Sequence, residues 1–207
     1  DVGYTCMPLF HSNAMFVGMM PAFWVGGAVG MRERFSASNF APDVFKYGTT
    51  GLHLVNNGHT VQANVDAGST IEIAGAVWTL LQFHFHAPSE HQLDGLAYPM
   101  EMHLVHQSAD KKLAVVGVSI EEGEQNAAFD PVWANLPKQK SVETHLEHLT
   151  VNVDDLLPKN RSTYRYDGSL TTPPCSEGVR WMLFTTPIQL SAKQIGAFRD
   201  ILKGNSR

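Results

Sequence analysis

Residues 77–86 read Val-Trp-Thr-Leu-Leu-Gln-Phe-His-Phe-His, a run without glycine, proline or charge. A run rich in β-branched and aromatic side chains is typical of a β-strand. Strand geometry sends residues i and i+2 to the same face, so His84 and His86 share one face. Both imidazoles can therefore reach one metal ion.

On either side of this strand, the chain consists of short β-branched or alternating runs separated by turn signals such as Asn56-Asn57-Gly58. This pattern is typical of a β-dominated protein, and we expect most neighbouring strands to pair antiparallel. The other predicted strands are residues 52–55, 60–65, 70–73, 101–106, 113–120 and 179–184.

Three short helices are predicted at residues 126–134, 141–148 and 191–202, the last with Ser191 as N-cap and Gly204 as stop. The predicted fold is α+β, a single domain over residues 1–207 built on a large, mainly antiparallel twisted β-sheet with short peripheral helices. Residues 1–45 are atypical: they hold five of the eight methionines and show no clear period. No structure is predicted for them.

Three other histidines are interpreted as surface residues. The predicted helix 141–148 places His145 and His148 at i, i+3 spacing with no third partner. His53 likewise stands without a second ligand in its own segment. We expect none of the three to bind a metal.

Composition and charge exclude two classes of partner. The net charge is −5 and the 15 Lys and Arg residues are scattered, so nucleic acid is not an expected partner. No apolar run reaches the roughly 18 to 20 residues that cross a bilayer, since residues 14–29 are broken by Pro21 and Gly26-Gly27. The same run lacks the features of a secretory signal. We expect a soluble protein without a membrane partner; any leader has already been removed.

A second histidine pattern follows in residues 101–106, Glu-Met-His-Leu-Val-His. Glu101 and His103 share a strand face, so His103 becomes a third ligand if this strand lies beside the first. Three neutral imidazoles leave Zn²⁺ an open fourth position for water, whose pKa such a site lowers to about 7. Spacing alone leaves an alternative open, because ten histidines in one chain also form close pairs by chance.

The segment Ser89-Glu90-His91-Gln92-Leu93, followed by Tyr98 and residues 101–105, resembles the complete signature of the α-class carbonic anhydrases. The resemblance is greatest to bacterial members and covers about residues 50–207. Further segments that agree are residues 57–59, 82–86, 114–117 and 168–174, together with Val179 and Trp181.

The resemblance implies that zinc-bound hydroxide hydrates carbon dioxide reversibly to bicarbonate and a proton. It implies His84, His86 and His103 as Zn²⁺ ligands, oriented by Gln82, Glu101 and the backbone carbonyl of Asn205. Thr171 would accept a hydrogen bond from the hydroxide and donate one to Glu90, while His59 would shuttle protons to buffer. The implied substrate-binding residues are Val105, Val115, Leu170, Thr172 and Trp181, of which all but Thr172 form an apolar wall.

The chain departs from the family pattern at both ends. The family's Asn-Gln-Ser-Pro-Ile segment does not occur in residues 1–45, and its C-terminal segment is expected to be missing after residue 207. Support of His86 by Asn205 would then be weaker. The likeness to bacterial members also implies a disulfide between Cys6 and Cys175 and a periplasmic or secreted location. A homodimer is a further assembly to test.

Two other functions compete with the zinc enzyme. His84, His86 and Glu90 partly resemble the first motif of a cupin metal site, but the second cupin motif is absent from the sequence. A catalytically impaired carbonic-anhydrase-related binding or storage protein is the non-enzymatic alternative. Such proteins typically lack one or more of the zinc histidines, whereas all three are present here.

Overall fold

A computed structural model describes residues 44–140 and 143–202, with the backbone alone for residues 143–148. Its strands are β1 Val44–Lys46, β2 Thr49–Asn56, β3 Val61–Val65, β4 Thr70–Ile73, β5 Ala76–His86, β6 Gln92–Leu93, β7 Leu96–Ala97, β8 Met100–Ser108, β9 Leu113–Glu122, β10 Glu143–Asn152, β11 Thr163–Ser169, β12 Glu177–Phe184 and β13 Ile188–Leu190. Its α-helices are α1 Asp130–Trp133 and α2 Ala192–Ile201, and 3₁₀ turns occupy Ala127–Phe129 and Val153–Leu156.

Within the described residues, eleven strands form one mixed sheet. The order is β10-β2-β3-β5-β8-β9-β12-β11, with β4 bridging β5 to β1 and β13 pairing with β9. Most neighbours pair antiparallel, as predicted, but β12 and β13 both run parallel to β9. The α+β prediction with a dominant sheet and short helices is therefore confirmed.

The main core lies on one face of the central strands. Phe83, Phe85, Met102 and Leu104 alternate along β5 and β8 and are fully buried. Helix α2 covers this face, since the ring of Phe198 lies 5.7 Å from that of Phe85. The other face of the same strands is therefore the face that can carry a polar site.

The predicted helix 141–148 is wrong. Residues 143–152 form β10, which pairs antiparallel with β2 across an irregularity between His145 and Thr150. Residues 143–145 and 150–152 pair with β2, and tertiary pairing of this kind overrides a weak local preference. The i, i+3 helical spacing predicted for His145 and His148 is therefore also wrong. The side chains of both residues lie outside the described part of the chain.

The other predicted elements are found close to their predicted bounds. Helix α2 begins after Ser191, whose side chain accepts a hydrogen bond from the backbone of Gln194 in a capping box. The helix predicted at 126–134 is split into a 3₁₀ turn and α1 at Pro131. Strands β1, β11 and β13 and the hairpin β6–β7 were not predicted. In the described part of the chain, no helix is long and apolar enough to span a membrane.

Candidate metal centre

Three histidines meet on the polar face of the sheet, on two adjacent strands. His84 and His86 lie two apart on β5, and His84 is the direct cross-strand partner of His103 on β8. One nitrogen from each ring lies within 4.8 Å of the other two. The ring centroids are 4.6 to 5.3 Å apart. The structure thus brings together the three residues that the spacing predicted.

Two of the predicted neighbours hold the rings in place. Nδ1 of His84 lies 2.9 Å from Oε1 of Gln82, so this nitrogen donates and Nε2 keeps its lone pair. Nε2 of His103 lies 2.9 Å from Oε1 of Glu101, so Nδ1 keeps its lone pair. Each ring is therefore fixed in one tautomer, with the other nitrogen left to bind a metal.

Glu101 is a carboxylate whose acceptor positions are filled. Oε2 accepts the backbone N–H groups of Glu90 and His91, both at 2.9 Å. Oε1 accepts from the rings of His91 and His103. A carboxylate offers about four lone-pair sites, so these four donors saturate it. The buried charge of Glu101 is compensated entirely by hydrogen-bond donors.

The charges of the site follow from burial and from these contacts. Burial, aided by the two other histidines, holds the pKa of His84 well below its ordinary value. Burial opposes the charge of Glu101, but His91 and His103 outweigh it and hold the pKa of the carboxyl well below its usual range. Burial also opposes protonation of His103, and Glu101 outweighs it, so the pKa of His103 is raised. The pair favours an anionic Glu101 that binds a donor nitrogen of His103.

A small apolar cluster, separate from the main core, adjoins the histidines. Val105 and Val115 are cross-strand partners, and Trp181 is the parallel partner of Val115. Leu170 packs against the same cluster. The ring of Trp181 lies 4.9 Å from that of His103. The four predicted wall residues are therefore brought together beside the candidate ligands, whereas Thr172 is exposed in the turn that follows β11.

His59 occupies the turn between β2 and β3. Its backbone N–H donates to Oδ1 of Asn57, and its side chain is exposed. The next residue, Thr60, bonds through its hydroxyl to the backbone carbonyl of Phe85, between the two histidines of β5. The turn thus lies at the end of the sheet that carries the histidines, with the imidazole open to solvent. The structure does not test its role as a proton shuttle.

Glu90 lies beside His86, with Oε1 3.6 Å from Nδ1 of that ring. Its Oε2 is buried and has no hydrogen-bond partner among the described residues, so it is open to a hydroxyl donor. Thr171 is half-buried in the turn after β11. The hydrogen bond from Thr171 to Glu90 stays a prediction. The predicted roles of Asn205 and Cys6 fall on residues outside the described ones.

Sequence reasoning assigned no role to His91 and Tyr166, although both belong to the site. Nε2 of His91 lies 2.5 Å from the hydroxyl of Tyr166, and Nδ1 contacts Glu101. Tyr166 stacks on Trp181, with ring centroids 6.0 Å apart and planes 1° from parallel. Strand β11, which carries Tyr166, was not predicted, so no signal placed this residue near β8. For His91, the signal was its position directly after Glu90.

The model for the eukaryotic-type carbonic anhydrase family matches residues 31–207 of the chain. A carbonic anhydrase from Nostoc sp. is 42% identical over 164 residues, which are 79% of this chain and 62% of that protein. One from Pectobacterium carotovorum is 40% identical over 158 residues, 76% of this chain and 64% of that protein. The chain therefore spans less than two thirds of the length of either relative. The α-carbonic anhydrase of Thermovibrio ammonificans, solved in complex with the inhibitor sulfanilamide, has a TM-score of 0.78 at 39% identity over 82% of this chain and 74% of that one.

Proposed function

The chain belongs to the eukaryotic-type, or α-class, carbonic anhydrase family, and on that premise we propose that it is a zinc enzyme that reversibly hydrates carbon dioxide to bicarbonate and a proton. The observation that carries the proposal is the triad of His84, His86 and His103, with one nitrogen of each within 4.8 Å of the other two. Three imidazoles, two of them oriented by hydrogen bonds, are a donor set that suits Zn²⁺ and leaves a fourth position open.

The residues present fit zinc in a further respect. The orienting partners Gln82 and Glu101 each bind the ring nitrogen that a metal would not use. A zinc ion held there would lower the pKa of a bound water to about 7 and so would supply a nucleophile at neutral pH. The value is the one known for carbonic anhydrases.

The remaining residues orient the substrate and move the proton. Carbon dioxide offers almost no polar group for recognition, and the apolar cluster of Val105, Val115, Leu170 and Trp181 gives it a matching surface beside His103. The open Oε2 of Glu90 is suited to accept a hydrogen bond from Thr171 and so to fix the direction of its hydroxyl. The exposed ring of His59 is suited to pass a proton to buffer.

Metal content and activity together test the proposal. The purified protein should contain one zinc per chain, and it should hydrate carbon dioxide in a stopped-flow assay. Removal of the zinc with a chelator should abolish the activity, and added zinc should restore it. Zinc without activity would support the binding or storage protein instead, and no zinc at all would refute both the metal centre and the enzyme.

Substitution of Thr171 by alanine tests the orienting role. Thr171→Ala should leave zinc bound and reduce kcat by on the order of tenfold or more, because it removes an oriented hydrogen bond and no ligand. Zinc content and hydration rates are compared with those of Thr186→Ala, which removes a threonine hydroxyl from the loop after β12. Equal rates in Thr171→Ala and the parent would refute the role.

Substitution of His59 by alanine tests the proton shuttle. In weak buffer, His59→Ala should lower the maximal hydration rate, because the proton then has no titrating side chain to carry it out. Imidazole added to the assay should restore part of the rate, and the reaction at the metal should be unaffected. A rate in weak buffer that does not change would show that the proton leaves by another route.

Four further properties remain proposals. A periplasmic or secreted location and a disulfide between Cys6 and Cys175 rest on the likeness to bacterial members. A homodimer is proposed as one assembly, to be measured by sedimentation. Carbon dioxide and bicarbonate are the proposed small-molecule partners.

A further inference from the structure

A hydrogen-bonded chain of four side chains ends at the candidate ligand His103. The hydroxyl of Tyr166 lies 2.5 Å from Nε2 of His91, and Nδ1 of His91 contacts Oε1 of Glu101. The same oxygen lies 2.9 Å from Nε2 of His103. His91, Glu101 and His103 are at most 2% exposed. Water therefore does not compete for the bonds that join these three residues, and each of the three depends on its neighbour for orientation.

The hydrogen bonds that link these four side chains allow one consistent assignment of donors and acceptors. The carboxylate of Glu101 only accepts, so Nδ1 of His91 and Nε2 of His103 both carry a proton. In a neutral ring, the second nitrogen of His91 then accepts, and the hydroxyl of Tyr166 is its donor. Tyr166 is itself held flat against Trp181. The hydroxyl of Tyr166 thus fixes the plane of His91, and His91 fixes one oxygen of Glu101.

Gly117, which has no side chain, leaves space for the hydrogen-bonded chain of side chains. It is the cross-strand partner of His103 on β9. A Cβ atom at Gly117 would lie 3.1 Å from Oε1 of Glu101 and 2.9 Å from Cδ1 of Leu183, both too close for ordinary contact. The same atom would lie 3.8 Å from Cε1 of His91. The absence of a side chain at residue 117 is therefore matched to the position of the Glu101 carboxylate.

We propose that Tyr166 and His91 are positioning residues for the metal centre, which act through Glu101 to hold His103 with Nδ1 turned to the metal. The inference rests on the proposed zinc site. Its distinct content is that a tyrosine hydroxyl three hydrogen bonds away from a ligand contributes to zinc affinity. This arrangement requires glycine at residue 117, because a Cβ atom there would lie too close to Oε1 of Glu101.

Tyr166→Phe is the sharpest test, because it removes one oxygen and keeps the ring that stacks on Trp181. Loss of a direct partner of a ligand costs about 10- to 100-fold in metal affinity, so loss of the Tyr166 hydroxyl, which lies two steps further out, should cost less than about tenfold. Zinc affinity is measured by competition with a chromophoric chelator. Tyr164→Phe is the matched control, because it removes the same group two residues earlier on β11, opposite Leu183 instead of Trp181.

Two substitutions of His91 provide an independent test. His91→Leu removes a donor to Glu101 and should lower zinc affinity by up to about tenfold, because His91 lies one step beyond the direct partner of the ligand. His91→Asn keeps an N–H near the position of Nδ1 and should recover part of the loss. A merely structural role would lower the melting temperature of the metal-free proteins and leave the dissociation constant for zinc unchanged. If His91→Leu does not fold, Tyr166→Phe and Gly117→Ala, which should also lower the affinity, decide the question.

The outcomes separate this inference from the proposed function. A parent protein that binds no zinc refutes the proposed function. A parent that binds zinc, with Tyr166→Phe and Tyr164→Phe within twofold of it, overturns the inference alone. Long-range ¹H–¹⁵N spectra of the metal-free protein at alkaline pH give a readout without zinc: His91 should carry its proton on Nδ1 and His103 on Nε2. The opposite tautomer at His91 would overturn the inference whatever the metal result.

Discussion

Replacing His84 by alanine is expected to remove zinc from the protein and to abolish the hydration of carbon dioxide. His84 supplies one of three nitrogens, and its loss should cost more than the roughly 10- to 100-fold in affinity that loss of an outer partner costs. Without the metal, the pKa of water returns from about 7 to 15.7, which lowers the fraction of hydroxide at neutral pH by a factor on the order of 10⁸. Activity should fall to the uncatalysed background.

His84 is the best of the three ligands for this test. Its partner Gln82 is neutral and lies at the half-buried part of β5, so the variant leaves no buried charge without a donor. Removal of His103 would take one of four donors from Glu101 and threaten the fold. His53→Ala, on β2, is the control and should keep both zinc and activity. Full zinc content in His84→Ala would refute the triad as the metal centre.

The strands of the site could be predicted because they satisfy two constraints at once. The alternation of Phe83 and Phe85 with His84 and His86 fixes the faces of β5, and Glu101 and His103 do the same for β8. One face must pack in the core, so a slip of one residue would turn the histidines into the apolar core and the phenylalanines out of it. The sequence could therefore predict which side chains share a face.

The register between strands could not be predicted in the same way. The pairing of His84 with His103 depends on the connection through the hairpin β6–β7, whose Asp94-Gly95 turn has positive φ at both residues. Such a turn is a recognised hairpin signal, yet its short strands show too little alternation to stand out. The sequence therefore predicts His103 as a third ligand only if β8 lies beside β5, and the structure shows that the two strands are neighbours.

Strand β11 shows why some residues around the candidate metal centre could not be predicted. Arg165, Asp167 and Gly168 interrupt its apolar pattern, so local sequence does not favour a strand there. Its pairing with β12 places Tyr166 opposite Trp181 and thereby beside His91. A residue that acts through such a long-range contact carries no periodic signal of its own. Only the folded sheet shows that Tyr166 lies within hydrogen-bond distance of His91, beside the candidate metal centre.

The two faces of β8 differ in the histidines they carry. His103 faces the candidate metal centre, whereas His106 lies on the core face and is completely buried. Its Nε2 lies within hydrogen-bond distance, 2.9 Å, of the hydroxyl of Tyr47. Beyond Tyr47, the charged groups with an electrostatic effect on its hydroxyl are Arg161 and Asp154, which form an ion pair. No carboxylate among these contacts His106 to stabilise a charged ring.

Burial of His106 is expected to make the protein sensitive to acid. Burial lowers the pKa of His106 from 6.5 to about 3. Between these values the unfolded chain binds a proton that the folded chain does not, so the free energy of unfolding falls as the pH drops from 6.5 towards 3. At most, this one group accounts for about 4 to 5 kcal/mol over that range. Above pH 6.5 it should have no effect.

The measurement is urea unfolding of the metal-free protein at several pH values, because bound zinc would add its own pH dependence. The test variant carries His106→Leu together with Tyr47→Phe, which removes both hydrogen-bond partners and leaves neither polar group buried alone. Tyr47→Phe alone is the control, since it keeps the titrating ring. The double variant should lose less stability than the control as the pH falls below 6.5, while Glu101 and the other carboxylates contribute equally to both. Parallel curves over that range would show that His106 is not the group that makes the fold sensitive to acid.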